Sequence, residues 1–224
     1  MALKIPSWTK YNPWERLYRS KGVIEEIPSA QVMQLVPMFQ QNNVERILDH
    51  GCGTGRHVKY LAGLGFHVYG MDSSLTAIKY TKEAAKGLED FADVVVADMD
   101  VLPYSDGFFD ATISSKVIHH ALKRQREGAI SEIKRTLKSN GLVFLRTRSI
   151  THPAYGKGEK IEENTFANIP GIVSGEGPQH FFSKEELLEY FSDFDIIRLN
   201  LVKHSPDYFS IYGMHEWSML ARKK

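Results

Sequence analysis

The 224-residue sequence predicts an α/β fold, a Rossmann-like sheet with helices on both faces. From about residue 46 onward, short apolar runs alternate with stretches of helical spacing, the rhythm of βαβ units on a parallel sheet. The first three runs also end at chemistry: Asp49 just before Gly51, Gly53 and Gly55, then Asp72, then Asp98.

The elements follow in order. Trp8, Tyr11, Trp14 and Tyr18 precede a helix expected near 29–41. Residues 46–49 read as the first strand. A helix over 56–64 follows, with Val58, Leu61 and Ala62 on one face and Gly65 suited to its stop. The second strand, 67–71, closes at Asp72, and a helix over 75–88 takes Ser73 or Ser74 as its cap. Strands are expected at 93–97 and 110–113. A helix over 124–138 buries Ile130, Ile133 and Leu137, and Ser139-Asn140-Gly141 turns the chain into a fifth strand at 142–146. Residues 149–182 are rich in turn formers without clear periodicity and read as an insertion or lid. Ser183-Lys184-Glu185-Glu186 is a capping box opening a helix to about residue 191. Runs at 196–202 and 208–220 make a terminal hairpin. The expectation is one domain over 1–224, with a cap segment at 1–41 and the lid at 149–182.

Composition narrows the function classes. Lys and Arg total 28 against 27 Asp and Glu, a net charge of +1. That balance supplies no general field for a nucleic-acid backbone or an anionic membrane. The one cysteine, Cys52, excludes an intrachain disulfide and fits a reducing compartment. The N-terminal residues lack the apolar run of a signal peptide, and no run is long enough to span a bilayer. The expectation is a cytoplasmic monomer or homodimer with no membrane partner.

Glycines after a strand let the backbone turn sharply and let a ligand lie on bare peptide. Asp72 lies 21 residues past Gly51, near the spacing at which a strand-two carboxylate meets a ribose. Asp98 can accept from an adenine amino group, and the Met99 thioether packs on a ring face. The ligand choice then turns on charge. A pyrophosphate needs a site free of negative charge and a G-x-G-x-x-G fingerprint. Here the third glycine comes one residue early, at Gly55, and Asp49 opposes a diphosphate. An ammonium and a sulfonium both welcome that carboxylate.

Asp49-His50-Gly51-Cys52-Gly53-Thr54-Gly55 resembles the first motif of class I S-adenosylmethionine-dependent methyltransferases, and Asp72 their acidic second motif. Asp98-Met99, with Leu102-Pro103-Tyr104 and Phe109-Asp110, resembles the third region of the methyltransferase type 11 group. Leu137-Lys138-Ser139-Asn140-Gly141-Leu142 resembles the L-K-P-G-G-x turn, departing from it at Ser139 and Asn140. The likeness covers 44–148. It implies a seven-stranded sheet of order 3-2-1-4-5-7-6 with strand seven antiparallel, and S-adenosyl-L-methionine as cofactor. Asp49, Gly51, Cys52, Gly53, Gly55, Asp72, Asp98 and Met99 are the implied cofactor residues, and the backbone at Ser114 is implied to hold the methionine part.

Ligands in such sheets bind beyond the carboxyl ends of the strands, so the loop after strand four faces the methyl group. His119 and His120 there are candidate bases for an acceptor proton. Tyr11 and Trp14 from the cap, and Tyr155 and His180 from the insertion, are candidate acceptor contacts. No histidine pair shows H-x-x-x-H spacing, so no metal is expected. Ser114-Ser115-Lys116-Val117 lacks the N/D-P-P-Y/F pattern of exocyclic-amine nucleic-acid enzymes, and Asn168-Ile169-Pro170-Gly171 is only an echo in another place. Cytosine C5 chemistry needs a nucleophilic cysteine, and Cys52 lies in the glycine turn. The expected partner is a small-molecule acceptor rather than a nucleic acid. A non-catalytic cofactor-binding module is the rival of another class.

Overall fold

Strands buried on both faces send successive side chains to opposite cores, and the first strand does this with adjacent residues. In the computed structural model, which describes residues 12–171, 177–205 and 213–224, β1 (Arg46–His50) points Ile47 into one apolar cluster and Leu48 into another. The first cluster packs α4 (Arg56–Ala62) and α5 (Leu75–Ala84) through Val58, Leu61 and Ile78. The second packs α6 (Lys123–Thr136) and α7 (Lys184–Tyr190) through Ile130, Ile133 and Leu187. The sheet is thus covered on both sides.

With β2 (His67–Asp72), β3 (Ala92–Val96), β4 (Phe109–Ser115) and β5 (Leu137–Arg148), β1 forms a parallel set. β9 (Phe194–His204) and β10 (Met214–Lys223) complete the order β3-β2-β1-β4-β5-β10-β9, with β10 antiparallel to both neighbours. Counting only strands of this sheet, that is the expected 3-2-1-4-5-7-6. Asp49 pairs with Gly70 on one side and Ile113 on the other, so β1 ends at the centre of the switch point.

Several boundaries differ from expectation for local reasons. The helix near 29–41 is two helices, α2 (Ala30–Met33), capped by Ser29, and α3 (Val36–Gln41). Pro37 sits in the first turn of α3, where its missing N–H costs nothing, and a continuous helix through it would lose a bond. Ser139-Asn140-Gly141 is a kink within β5, with Asn140 at φ 63° and the register to β4 shifting there. Ser183 caps α7 by accepting from the Glu186 N–H, but the Glu186 carboxylate turns to His180 instead of completing the box.

The stretch expected to lack regular structure builds its own sheet from β6 (Glu159–Glu162), β7 (Thr165–Ala167) and β8 (Gln179–His180), over Ala154, Phe166, Ile169 and Phe181. Trp8, Tyr11 and the expected hairpin residue Tyr208 lie outside the described residues. No described helix is long and apolar enough to cross a membrane.

Candidate functional site

The turn from β1 to α4 forms one wall of a cleft at the carboxyl ends of the strands. Gly51, Gly53 and Gly55 all take positive φ, at 72°, 56° and 89°, where a side chain is strained. Their bareness also serves packing. A Cβ on Gly51 would fall 2.4 Å from the Val117 side chain, and one on Gly55 2.8 Å from the Thr81 backbone. One on Gly53 would meet the Tyr18 hydroxyl at 2.9 Å. Cys52 is buried beside Thr81, and burial, then Asp72, pushes its thiol well above the usual range. It stays protonated, which removes it as a nucleophile.

The acids surround this turn. Asp49 is buried just beneath the lining, where His57 Nδ1 faces its Oδ1 at 3.9 Å and its Oδ2 has no hydrogen-bond partner among the described residues. A buried carboxylate oxygen so placed suits a cationic ligand. Asp72, at the end of β2, accepts from the Gly53 N–H at 3.0 Å and the Ser74 N–H at 2.9 Å. Burial raises its pKa to about 6 against those two bonds. Asp98 is half-buried, raised by desolvation and by Asp100. His50 ties this edge together, its Nε2–H donating to the Met99 carbonyl at 2.9 Å while Nδ1 meets the Ser114 hydroxyl at 3.1 Å.

Helix α1 (Pro13–Lys21) roofs the cleft with Trp14 and Tyr18. Asn12 caps the helix and also donates to the Ser73 hydroxyl at 2.7 Å. Glu15 reaches the start of α5, where its carboxylate accepts from the Ser74 hydroxyl at 2.6 Å, the Thr76 N–H at 3.0 Å and the Thr76 hydroxyl at 2.7 Å. The roof is therefore bonded to the loop that carries Asp72.

At the far wall, β4 is followed by Lys116, a non-glycine residue at φ 65° whose ammonium lies 3.4 Å from Glu25. Glu25 also pairs with Arg56 at 2.8 Å, and these cations hold its carboxyl below the usual range against burial. His119 and His120 follow in a 3-10 turn, their rings 4.1 Å apart. His119 is buried, with Nδ1 3.4 Å from the Thr147 hydroxyl. Desolvation first, then the charges of His120 and Arg148, push its pKa well below the usual histidine value, so it is neutral at pH 7. The His120 Nδ1 lies 2.9 Å from the Gln179 amide, and Trp14 sets its ring edge-on at 4.6 Å.

Of the residues singled out by sequence, Gly51, Cys52, Gly53, Asp72, Asp98, Met99, Trp14, His119 and His120 line this one cleft. Asp49 lies below it, and Gly55 is turned to α5. Ser114 is buried within β4, its hydroxyl on His50, and the lining there passes to Ser115, Lys116 and Val117. Tyr155 and His180 belong to the insertion. The Tyr155 hydroxyl donates to Asn164, and His180 bridges Thr165 and Glu186, so neither lines the cleft. Sequence reasoning missed Tyr18, Glu25, Arg56 and Arg148, which do line it. Asn12-Pro13-Trp14-Glu15 carried the one local signal, a cap followed three residues on by an acid. Among the described residues no cluster of His, Cys, Asp and Glu could hold a metal ion.

A methyltransferase domain model matches residues 48–145, which covers the turn, the acids, strands β2 to β4 and most of β5. A tRNA (carboxymethyluridine(34)-5-O)-methyltransferase of Arabidopsis thaliana is 33% identical over 140 residues, 62% of this chain but only 28% of that protein. An uncharacterized methyltransferase of Schizosaccharomyces pombe is 31% identical over 108 residues, 48% of this chain and 74% of the relative. Among solved structures, a SAM-dependent methyltransferase of Methanosarcina mazei superposes with a TM-score of 0.71 at 24% identity, covering 84% of this chain and 97% of that one. A central strand leading through a buried acid into a glycine turn, on a sheet of this order, stands within the stretch these relatives match: the chain belongs to the class I S-adenosylmethionine-dependent methyltransferases, with S-adenosylmethionine as its cofactor.

Proposed function

We propose that this chain transfers the methyl group of S-adenosylmethionine to a small-molecule acceptor by in-line displacement. One observation carries the small-molecule reading: Trp14 of the roof rests edge-on against His120 of the far wall, and Gln179 of the insertion bonds that same ring. Segments far apart in the chain thus close over the cleft where an acceptor would enter.

When bound, the cofactor supplies a methyl group already activated by its sulfonium. The protein's task is to align an acceptor and shed a proton. Alignment can contribute roughly 7–11 kcal/mol, while a base typically adds about 10²–10⁴-fold. Asp49, Gly51, Gly53, Asp72, Asp98 and Met99 would hold the cofactor, with the backbone at Ser114 and Ser115 beside its methionine part. His119, neutral and buried at the cleft, is the candidate base. His120, whose Nδ1 meets the Gln179 amide, would stand beside it at the wall where the acceptor enters. The insertion residues Tyr155 and His180 would act only by shaping this wall. Incubation with labelled S-adenosylmethionine and a panel of phenols, thiols, amines and carboxylates tests the reading. Turnover of one class supports it; tight cofactor binding without turnover on any acceptor favours a binding module.

A second reading takes tRNA as acceptor, and the named activity of the Arabidopsis thaliana relative favours it. Filter binding of bulk tRNA across a salt series discriminates the two. Steeply salt-dependent, tight binding with label transferred to RNA would establish the tRNA reading.

A further inference from the structure

Tyr18 hangs from α1 over the glycine turn, its hydroxyl in the space that a side chain on Gly53 would fill. It lines the cleft together with Arg56, Glu25 and Asp72. Burial first, then the charge of Asp72, raises its phenol well above the ordinary value. The group therefore remains a hydrogen-bond donor. Its position is set at a distance by the Glu15 carboxylate, which bonds Ser74 and Thr76 at the head of α5 and pins α1 across the loop bearing Asp72.

The cofactor carries one anionic group, the carboxylate of its amino-acid end. Asp98 and Asp100 line the adenosine side and repel an anion, whereas beside Gly53 the Tyr18 hydroxyl and the Arg56 guanidinium are donors that outnumber the local carboxylate of Asp72, with Arg56 shared with Glu25. We infer that Tyr18 is a cofactor-binding residue whose hydroxyl donates to the amino-acid carboxylate of S-adenosylmethionine, and that Glu15 is the positioning residue that holds it there. This rests on the cofactor assignment above.

Calorimetric titration of S-adenosylhomocysteine and of 5′-methylthioadenosine, which lacks the amino-acid end, tests both halves. Tyr18→Phe should weaken S-adenosylhomocysteine about ten-fold, the scale for a bond to a charged group, and 5′-methylthioadenosine less than about two-fold. Its melting temperature without ligand should match wild type. Glu15→Gln should show the same selective loss and release S-adenosylhomocysteine several-fold faster in stopped-flow displacement. Wild-type affinity in Tyr18→Phe, or equal loss for both ligands, would overturn the role of Tyr18. Wild-type affinity and release in Glu15→Gln would overturn the positioning role. Failure of the wild-type protein to bind S-adenosylhomocysteine would instead refute the cofactor assignment itself.

Discussion

The two halves of the cleft are assembled in different ways. The half proposed for adenosine comes from the ends of β1, β2 and β3, with Asp49 next to last in β1, Asp72 last in β2 and Asp98 two residues past β3. The half proposed for the acceptor gathers α1, the turn after β4, Gln179 of the insertion, Arg148 of β5 and Met214 of β10. The first half needs only short turns on a parallel sheet. The second needs segments more than a hundred residues apart to meet. The halves also differ in charge: carboxylates dominate the first, while Lys116, His119, His120 and Arg148 face the second. On the proposed reading, cofactor recognition is built locally and acceptor recognition by convergence.

If the halves are energetically separate, changes in one should leave the other intact. The largest effect is expected at His119. His119→Ala should lower kcat by about 10²-fold or more, with S-adenosylhomocysteine affinity close to wild type. A comparable loss of cofactor affinity would break the comparison. Gly55→Ala should cost about 1–3 kcal/mol in urea unfolding, because the position has φ 89° and a new Cβ meets the Thr81 backbone. Asp72→Asn should weaken the cofactor by about 1–3 kcal/mol in calorimetry while the kcat at saturation changes little.

The smallest effect is one of pH. With the Asp72 pKa near 6, the ionised form, proposed to accept from ribose hydroxyls, prevails at pH 7 and is mostly lost at pH 5. Cofactor affinity should fall about ten-fold between those values, and the Asp72→Asn variant should lack that dependence. The folded-state pKa lies above the ordinary unfolded value, so this group makes the cofactor-free protein less stable as pH rises from about 4 to 6. His119, held well below the ordinary histidine range, should add no limb to the rate profile near pH 6.5.

The same contrast explains what could be read from the sequence. β1 to β5, the glycine turn and the acids at strand ends were legible because each depends on neighbours within a few residues. The roles of Gly51 and Gly55 were legible only in part. Their conformation follows from the turn, but their contacts with Val117 and Thr81 are tertiary. Ser114 sits one residue too deep in β4 to face the cleft, because the strand continues through Ser115. His180 and Tyr155 had the right chemistry, yet the insertion folds on its own small core and keeps their polar atoms. The capping box expected at Ser183 to Glu186 misled: Glu186 abandons the local return bond for His180, just as Glu15, three residues past the Asn12 cap, reaches α5. A carboxylate three residues into a helix has two uses, and only the fold decides between them.

The Glu15 clamp has a consequence for redesign. Exchanging the N-terminal segment is an obvious route to new acceptor preference, since Trp14 faces that half of the cleft. In this protein such a graft also unfastens the loop after Asp72, so on the proposed reading altered selectivity and weakened donor retention would be inherited together. A transplanted segment that preserved an acid at position 15 and its reach to Thr76 would uncouple the two traits.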